Sequence, residues 1–419
     1  MLRGKHIVVG ISGGIAAYKI PDVIRRLRKA GAEVKVTTTK HGLEFVTELT
    51  LQTVSGQKVY SDVFAAINEH STEHISLPDW ADVMLIAPAT ANVLGKLAHG
   101  IADDALTTTF CAMQKPVVIA PAMNDKMYAN PAVQESIRVL SGFENVTMLD
   151  CAEGELACGT TGKGRMQEAE ALLEAVEYAL TPKDLAGKRV MITSGPTQEH
   201  LDPVRYITNH STGKMGNALA LACWRRGAEV RYVCGPIAAL PEVPVLYNGE
   251  RLAVSGERFV VVSVVSAKEM AEAALRESEQ AHLIILCAAV ADFTPKEVSE
   301  VKIKKGERLA VSGERLAVEL VETPDIAALL GARKKEGQVL VGFALETNNE
   351  EANAQHKLAS KHLDYIVLNS LQDKGAGFGC DTNKVSIYAS DGFKKDVPLL
   401  SKQNVAEEII DLVTSGSCK

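Results

Sequence analysis

The sequence predicts an α/β protein built as two doubly wound units in series, and three observations carry that prediction. A short apolar, β-rich run that breaks into a Gly-rich loop and re-enters helix occurs twice, at HIVVGISGGIAAYK (His6–Lys19) and at RVMITSGPTQEHLDPVRYITNHSTGKMGNALALA (Arg189–Ala222). After the first of these, Ile20, Val23, Ile24 and Leu27 fall at i, i+3, i+4 and i+7, one face of an amphipathic helix. With 419 residues, 46% of them apolar, the chain is too long for one ordinary core and rich enough to fill two.

The formal charge of −7 argues against non-specific nucleic-acid binding, which needs a basic face. Any anion is therefore held locally, and a strand, loop and helix start offers free N–H groups and a positive dipole end for that purpose. The eight cysteines, at 111, 151, 158, 223, 234, 287, 380 and 418, form no CxxC pair, and no secretory signal precedes the first strand. They read as reduced thiols of a cytoplasmic protein. No apolar run approaches the roughly 20 residues that span a bilayer, so no membrane partner is expected.

In the first unit, Ile7–Ser12 is a buried-type strand, Gly31 ends the helix, and Val34–Thr38 returns as strand, a βαβ unit. Ser12-Gly13-Gly14 misses GxGxxG, so a single phosphate at the helix start fits better than a dinucleotide, with a plain tight turn as the alternative. Val83–Ile86 runs into Ala87-Pro88-Ala89-Thr90-Ala91-Asn92, and Val117–Ala120 delivers Pro121-Ala122-Met123-Asn124 to the same carboxyl edge, where open α/β sheets bind ligands. Leu156–Met166 (LACGTTGKGRM) has too many glycines for a regular element and reads as a mobile flap carrying one thiol and two cations. Its Gly162-Lys163 is not a P-loop, because the spacing is short and Gly164 replaces the hydroxyl residue. His70-Ser71-Thr72-Glu73-His74 matches HxxEH, but Pro78 follows closely and no third ligand is marked, so it is not read as a metal site.

SGGIAAYK, EHISLPDWADVMLIAPATAN, PAMN and ACGTTGKGRM, in this order, resemble the flavin-dependent cysteine decarboxylases, specifically the phosphopantothenoylcysteine decarboxylases, over essentially all of residues 5–180. The resemblance implies a flavodoxin-like fold that binds FMN. It puts Gly13, Gly14 and Ile15 near the flavin phosphate, with Thr39, Thr90, Ala91 and Asn92 as further flavin contacts. It gives His74 a part in oxidation and decarboxylation, Asn124 the substrate carboxylate, and Cys158 the role of proton donor. It also implies a homo-oligomer with trimeric contacts in this half. A thiol suits the acid role because its pKa lies near neutrality.

Leu180–Lys188 breaks the periodicity with Pro182 and Gly187, so the boundaries are drawn at 1–180, a linker at 181–188, and 189–419. Gly227-Ala228-Glu229-Val230-Arg231 echoes Gly31-Ala32-Glu33-Val34-Lys35, the same helix-to-strand turn in both halves. Strands at Leu283–Cys287, Val339–Phe343 and Tyr365–Leu368 make a second doubly wound sheet, with Ala288–Asp292 and Phe343–Thr347 at strand ends. Lys302-Ile303-Lys304-Lys305 concentrates charge in a loop after Asp292, which suits a triphosphate and its magnesium ion.

SGPTQEHLDPVRYITNHSTGKMG, AAVADF, VKIKK, TPDI, GFALETNN and GAGFGCDTNK resemble the phosphopantothenate–cysteine ligases. Preceded by the decarboxylase pattern, the chain resembles the bifunctional coenzyme A biosynthesis proteins of bacteria. The resemblance implies a flavodoxin-like N-terminal domain plus a Rossmann-like C-terminal domain with dimeric contacts. The implied substrates are 4'-phosphopantothenate, L-cysteine and CTP, with Mg2+ carried mainly by the CTP phosphates. Asn209 and Arg205 would hold the acyl-cytidylate and Lys302 would neutralise phosphate charge. Ala288, Asp292, Pro324, Asp325, Ile326, Phe343, Lys357 and Lys361 would contact CTP.

The decapeptide GERLAVSGER, present at Gly249–Arg258 and again at Gly306–Arg315, departs from the family pattern and is expected to form exposed excursions. Asn369-Ser370 stands where relatives usually carry an acidic second residue. A nicotinamide dehydrogenase is disfavoured, since both Gly-rich turns miss GxGxxG. A non-catalytic flavin-binding regulator is the other alternative, and it would not need Cys158.

Overall fold

The structure, a computed structural model, describes residues 2–63, 73–155, 159, 161–247, 258–304, 317–346, 348–370 and 379–415. By packing the chain forms two units, Met1–Pro182 with Glu242–Gly256, and Lys183–Pro241 with Glu257–Lys419. No helix among the described residues is long and apolar enough to cross a membrane. Apart from Arg258, both copies of the decapeptide lie outside the described residues.

The first unit holds strands β1 (His6–Ile11), β2 (Glu33–Thr38), β3 (Val59–Tyr60), β4 (Val83–Ala89), β5 (Val117–Pro121) and β6 (Val146–Met148), all parallel, in the order β3-β2-β1-β4-β5-β6. Without the two-residue edge strand β3, this is the flavodoxin arrangement. Its helices are α1 (Ile20–Lys29), α2 (Glu48–Ser55), α3 (Glu73–Trp80), α4 (Ala91–Ala98), α5 (Ala105–Cys111), α6 (Asp125–Tyr128), α7 (Pro131–Ser141) and α8 (Ala169–Leu180). Alternation along β1 decides which layer each helix joins. Ile7, Val9 and Ile11 pack with α1, Leu51 of α2 and Leu172, Ala175 and Val176 of α8, whereas Val8 faces Val93 and Leu94 of α4, Leu106 of α5 and Ile137 of α7. Ile20, Val23, Ile24 and Leu27 are all fully buried, the face expected from their spacing. Each such side chain contributes about 1.5–3 kcal/mol on burial.

A hairpin, β7 (Ala152–Glu155) and β8 (Thr161–Arg165), precedes α8. A segment from far down the chain closes beside it. Leu246 bridges Leu149 in antiparallel fashion, Asp150 N donates to Val245 O, and Tyr247 N donates to Met148 O, both at 2.9 Å. The buried Gln167 clamps this strap, donating to the carbonyls of Val245 at 2.7 Å and Asp150 at 2.8 Å and accepting from Val245 N at 3.1 Å.

The second unit runs β9 (Arg189–Ser194), β10 (Gln198–His200), β11 (Tyr206–Thr208), α9 (Lys214–Arg225), β12 (Glu229–Cys234), β13 (Phe259–Ser263), α10 (Ala267–Ser278), β14 (Leu283–Leu286), β15 (Phe293–Pro295), β16 (Leu320–Glu322), α11 (Ile326–Arg333), β17 (Val339–Glu346), α12 (Glu350–Ser360), β18 (Tyr365–Ser370), β19 (Thr382–Ala389), β20 (Lys394–Ser401) and α13 (Lys402–Thr414). The main sheet is ordered β13-β12-β9-β14-β17-β18-β19-β20. Its first six strands are parallel in the Rossmann order, and β19 and β20 extend it as an antiparallel pair. Met270 and Ala274 of α10, Leu330 of α11 and Leu358 of α12 share one core, while α9 and α13 pack together. Gly31 and Gly227, the echoed turns, both take positive φ, +94° and +88°.

Candidate functional site

In the first unit the switch point lies between β1 and β4, and Ser12 joins their two loops. Its buried Oγ donates to Pro88 O at 2.6 Å and accepts from Thr90 N at 3.1 Å. Thr90 is the N-cap of α4 but makes no side-chain cap bond, which leaves the first-turn amides around Ala91 and Asn92 open to an anion. A Cβ on Gly13 would come within 2.5 Å of His41 Cβ, so glycine lets this loop pass the turn that Thr39 opens by accepting from Gly42 N. Gly14 lies against Thr90, and Ile15 and Tyr18 stand exposed beside it. The seven residues expected at FMN thus gather at one sheet edge. Open amides for a phosphate and exposed apolar side chains for a flat ring fit that group.

Asn124 follows β5 and caps α6, accepting from Lys126 N at 2.9 Å. The hairpin docks on this loop: Met123 N donates to Gly164 O at 2.9 Å. The reading of Leu156–Met166 as devoid of regular structure is therefore corrected, because Thr161–Arg165 is a strand. Its glycines serve close packing. A Cβ on Gly162 would lie 2.8 Å from Asp125 Cβ, and one on Gly164 would lie 2.3 Å from Met123 O. Lys163 is fixed to Asp150 at 2.5 Å. Cys158 lies outside the described residues, and so does the side chain of His74, whose backbone is in the first turn of α3.

The second unit has its switch point between β9 and β14, where a cavity of about 680 Å³ opens. The bonds that pin the loop after β14 include Ala289 N to Gly195 O at 2.9 Å, Ala291 N to Thr197 Oγ1 at 3.0 Å, and Asn209 Nδ2 to the carbonyls of Ala289 and Val290, each at 3.1 Å. Asn209, Ala288 and Asp292 line the cavity on this side. Pro324, Asp325 and Ile326 at the start of α11, Phe343 on β17, and Lys357 and Lys361 line it elsewhere. Lys361 pairs with Asp325 at 2.9 Å and Lys357 with Glu346 at 2.7 Å. Burial works against the charge on Asp325, but hydrogen bonds from Lys361 and from Ala328 N hold its carboxyl below the usual range. At the start of α9, Gly213 has φ +73°, and a Cβ on Gly216 would lie 2.1 Å from Ser194 Oγ.

Arg205 and Lys302 are not among the cavity-lining residues. Arg205 donates to the buried Asp202 carboxylate at 2.6 Å and to Ile303 O, and Ile303 N donates to the same carboxylate at 3.2 Å. The Asp202 node therefore brings Arg205 to the loop that carries Lys302. Burial alone would raise the Asp202 pKa; hydrogen bonds from Val204 N, the Arg205 guanidinium and Ile303 N hold it far below the carboxylate norm.

The sequence reading did not assign Lys402, Asn369 or Asn383 to the cavity, yet all three line it. A lysine directly after a serine N-cap, Ser401-Lys402, was the available signal. Burial pushes the Cys151 and Cys287 thiols up to about 12 and the Cys234 thiol to about 11, which works against a nucleophilic thiolate at these three positions.

Two family models match the chain: "Flavoprotein" over residues 1–181 and "DNA/pantothenate metabolism flavoprotein C-terminal domain" over residues 185–416. The "Coenzyme A biosynthesis bifunctional protein CoaBC" of Bacillus subtilis (strain 168) is 45% identical over 420 residues, spanning 100% of this chain and 98% of the relative. The protein of the same name from Vibrio cholerae is 43% identical over 412 residues, 98% of each. Among solved structures, the C-terminal domain of a coenzyme A biosynthesis bifunctional protein is 38% identical, covering 55% of this chain and 96% of that one (TM-score 0.43). A PPC decarboxylase mutant complexed with pantothenoylaminoethenethiol is 33% identical, covering 42% and 97% (TM-score 0.39). Two sheets with separate switch-point sites, each half matched by its own family model and the whole by full-length relatives, place the chain in the family of bifunctional coenzyme A biosynthesis proteins.

Proposed function

We propose that the second unit joins 4'-phosphopantothenate to L-cysteine at the expense of CTP, and that the first unit decarboxylates the product, 4'-phosphopantothenoylcysteine, to 4'-phosphopantetheine. The observation that carries this reading is the cavity at the β9/β14 switch point, lined by Asn209, Ala288, Asp292, Phe343, Lys357 and Lys361. A regulator that only binds flavin does not account for a second unit with a cavity of its own.

In ligation, a carboxylate oxygen of phosphopantothenate attacks the α-phosphorus of CTP, and pyrophosphate leaves with Mg2+. The cysteine amine then attacks the acyl carbon, CMP departs, and the amine proton passes to solvent. Activation is required because a carboxylate offers an amine no adequate leaving group. Asn209, its amide plane fixed by two carbonyls, and Arg205 orient the acyl-cytidylate, while Lys302 offsets charge developing on the phosphates. Pinning the Ala288–Ala291 loop in advance removes reorganisation from the reacting complex.

In decarboxylation, FMN held at this edge would supply reversible two-electron oxidation of the thiol-bearing carbon, which gives the electrons of the departing carboxylate a place to go. The open first turn of α4 and the Gly13-Gly14 loop would hold its phosphate. Asn124 holds the substrate carboxylate, His74 supports the oxidation, and Cys158 delivers the proton. The β7–β8 hairpin is held on two sides, β8 against Met123–Asp125 and the residues before β7 against the strap. Exposed Ile15, Tyr18, Phe45 and Leu49 support the reading of a homo-oligomer whose contacts lie near this site.

The test is a crossover. Cys158→Ser is expected to abolish CO2 release while leaving CTP-dependent pyrophosphate release within about twofold; Asn209→Ala is expected to cut ligation by roughly 100-fold while sparing decarboxylation of supplied 4'-phosphopantothenoylcysteine. One substitution that disables both steps in a folded, yellow protein overturns the division of labour.

A further inference from the structure

The ligase cavity has a wall that the roles above leave unused. Lys214 is the first residue of α9 and Lys402 the first residue of α13, and both line the cavity. The two cations meet at one turn. Lys214 Nζ donates to Gly379 O at 3.0 Å and to Asp381 Oδ1 at 2.6 Å, and Lys402 Nζ donates to Cys380 O at 2.6 Å. Lys402 N also donates to Asp381 O, so the turn lies directly against the start of α13.

A lysine in the first turn of a helix opposes the helix dipole, which favours cations at the other end by about 0.3–1 kcal/mol. Here the sequence does this twice on one wall. Lys402 is also only 8% exposed, which is rare for a lysine. Burial, with Lys214 adding repulsion, lowers its pKa from the ordinary lysine value. The carboxylate of Asp381 points largely to solvent, its side chain 88% exposed. Two ammonium groups and two positive helix ends on one cavity wall suit a phosphate, which carries more than one negative charge and several acceptor oxygens. Asn383, also buried, and Asn369 line the cavity as well, with Asn383 Nδ2 donating to Asn369 Oδ1 at 3.4 Å.

We propose that Lys402, together with Lys214, binds a phosphate group of one of the two phosphorylated substrates of ligation. This rests on the CTP-dependent ligation reading.

The experiment titrates CTP and 4'-phosphopantothenate separately, by calorimetry, into the FMN-loaded full-length chain and its Lys402→Gln, Lys402→Arg and Lys214→Gln variants. Glutamine keeps an N–H donor for the Cys380 carbonyl but has no charge. Lys402→Gln is expected to weaken one titration by roughly 10–100-fold and Lys402→Arg by no more than about threefold. Loss in the CTP arm identifies the triphosphate; loss in the phosphopantothenate arm identifies its single phosphate. Lys214→Gln is expected to weaken the same arm, and it carries the test should Lys402→Gln fail to fold. Decarboxylation of supplied 4'-phosphopantothenoylcysteine reports integrity. Unchanged affinities in folded Lys402→Gln, or the two glutamine variants weakening different substrates, overturn the assignment. If the wild-type chain binds neither substrate, the ligation reading itself falls.

Discussion

Replacing Gly216 by alanine tests whether the start of α9 must lie against β9 for ligation. The position is inside a helix, where alanine is favoured over glycine by about 1 kcal/mol. Against that gain, the new Cβ would sit 2.1 Å from Ser194 Oγ and 2.5 Å from Ser194 Cβ, whereas ordinary contact begins near 3.4 Å. Helix and strand must therefore separate by roughly 1 Å, at an overpacking cost of about 1–3 kcal/mol. The clash wins, and the net loss of stability is at most about 2 kcal/mol. Activity responds more strongly, since a displacement of about 1 Å in groups that position a substrate costs roughly 100-fold. The assay is pyrophosphate release with 4'-phosphopantothenate and cysteine saturating and CTP varied, with decarboxylation of supplied 4'-phosphopantothenoylcysteine as the internal control. Ligation kcat/KM for CTP is expected to fall by roughly 100-fold with the control unchanged. Adding Ser194→Gly removes both atoms of the clash and is expected to recover most of the loss. Wild-type ligation in Gly216→Ala refutes the reasoning, and so does failure of the double variant to recover activity although its melting temperature is restored.

Two further outcomes follow from charged groups away from the cavity floor. Asp202→Asn keeps the shape of the node but removes the charge that gathers Arg205 and Ile303 N, so ligation is expected to fall by roughly tenfold with decarboxylation unaffected; an unchanged ligation rate detaches this node from the Lys302 loop. Lys183 is half-buried beside Arg258, and burial first, then that guanidinium, lowers its pKa to about 8. The unfolded chain holds this proton up to about pH 10.5, so between about 8 and 10.5 it binds more protons than the folded chain and stability rises with pH. Lys183→Met is therefore expected to be more stable than wild type at pH 7, by about 1 kcal/mol after discounting for partial exposure, with the gap closing toward pH 10.5. Urea melts across that range decide it, and a gap independent of pH refutes the assignment.

The parallel core was legible because each central strand is buried on both faces and so appears as an unbroken apolar run, as in Val83–Ile86 and Leu283–Ile285. The ligand edges were legible for the same reason, since the small and polar residues follow those runs directly. The β7–β8 hairpin was not, because its glycines answer to atoms of Met123–Asp125 that no local pattern records. The β19–β20 pair carried a readable signal that went unused: Asn383, Val385 and Ile387 alternate inward, and Asp391-Gly392 makes the turn. Lys402 and Asp202 were hidden more deeply. Both look like surface charges in sequence, and only the fold buries them.

The strap at 242–247 makes sequence order a poor guide to where this protein can be cut. A gene fragment ending at Pro182 looks like a complete flavin half, but it omits the backbone that satisfies Asp150 N and both ends of the Gln167 amide. Such a truncate would leave the residues just before the β7–β8 hairpin without their backbone partner, and a short synthetic peptide spanning the strap would restore in trans what the excision removed.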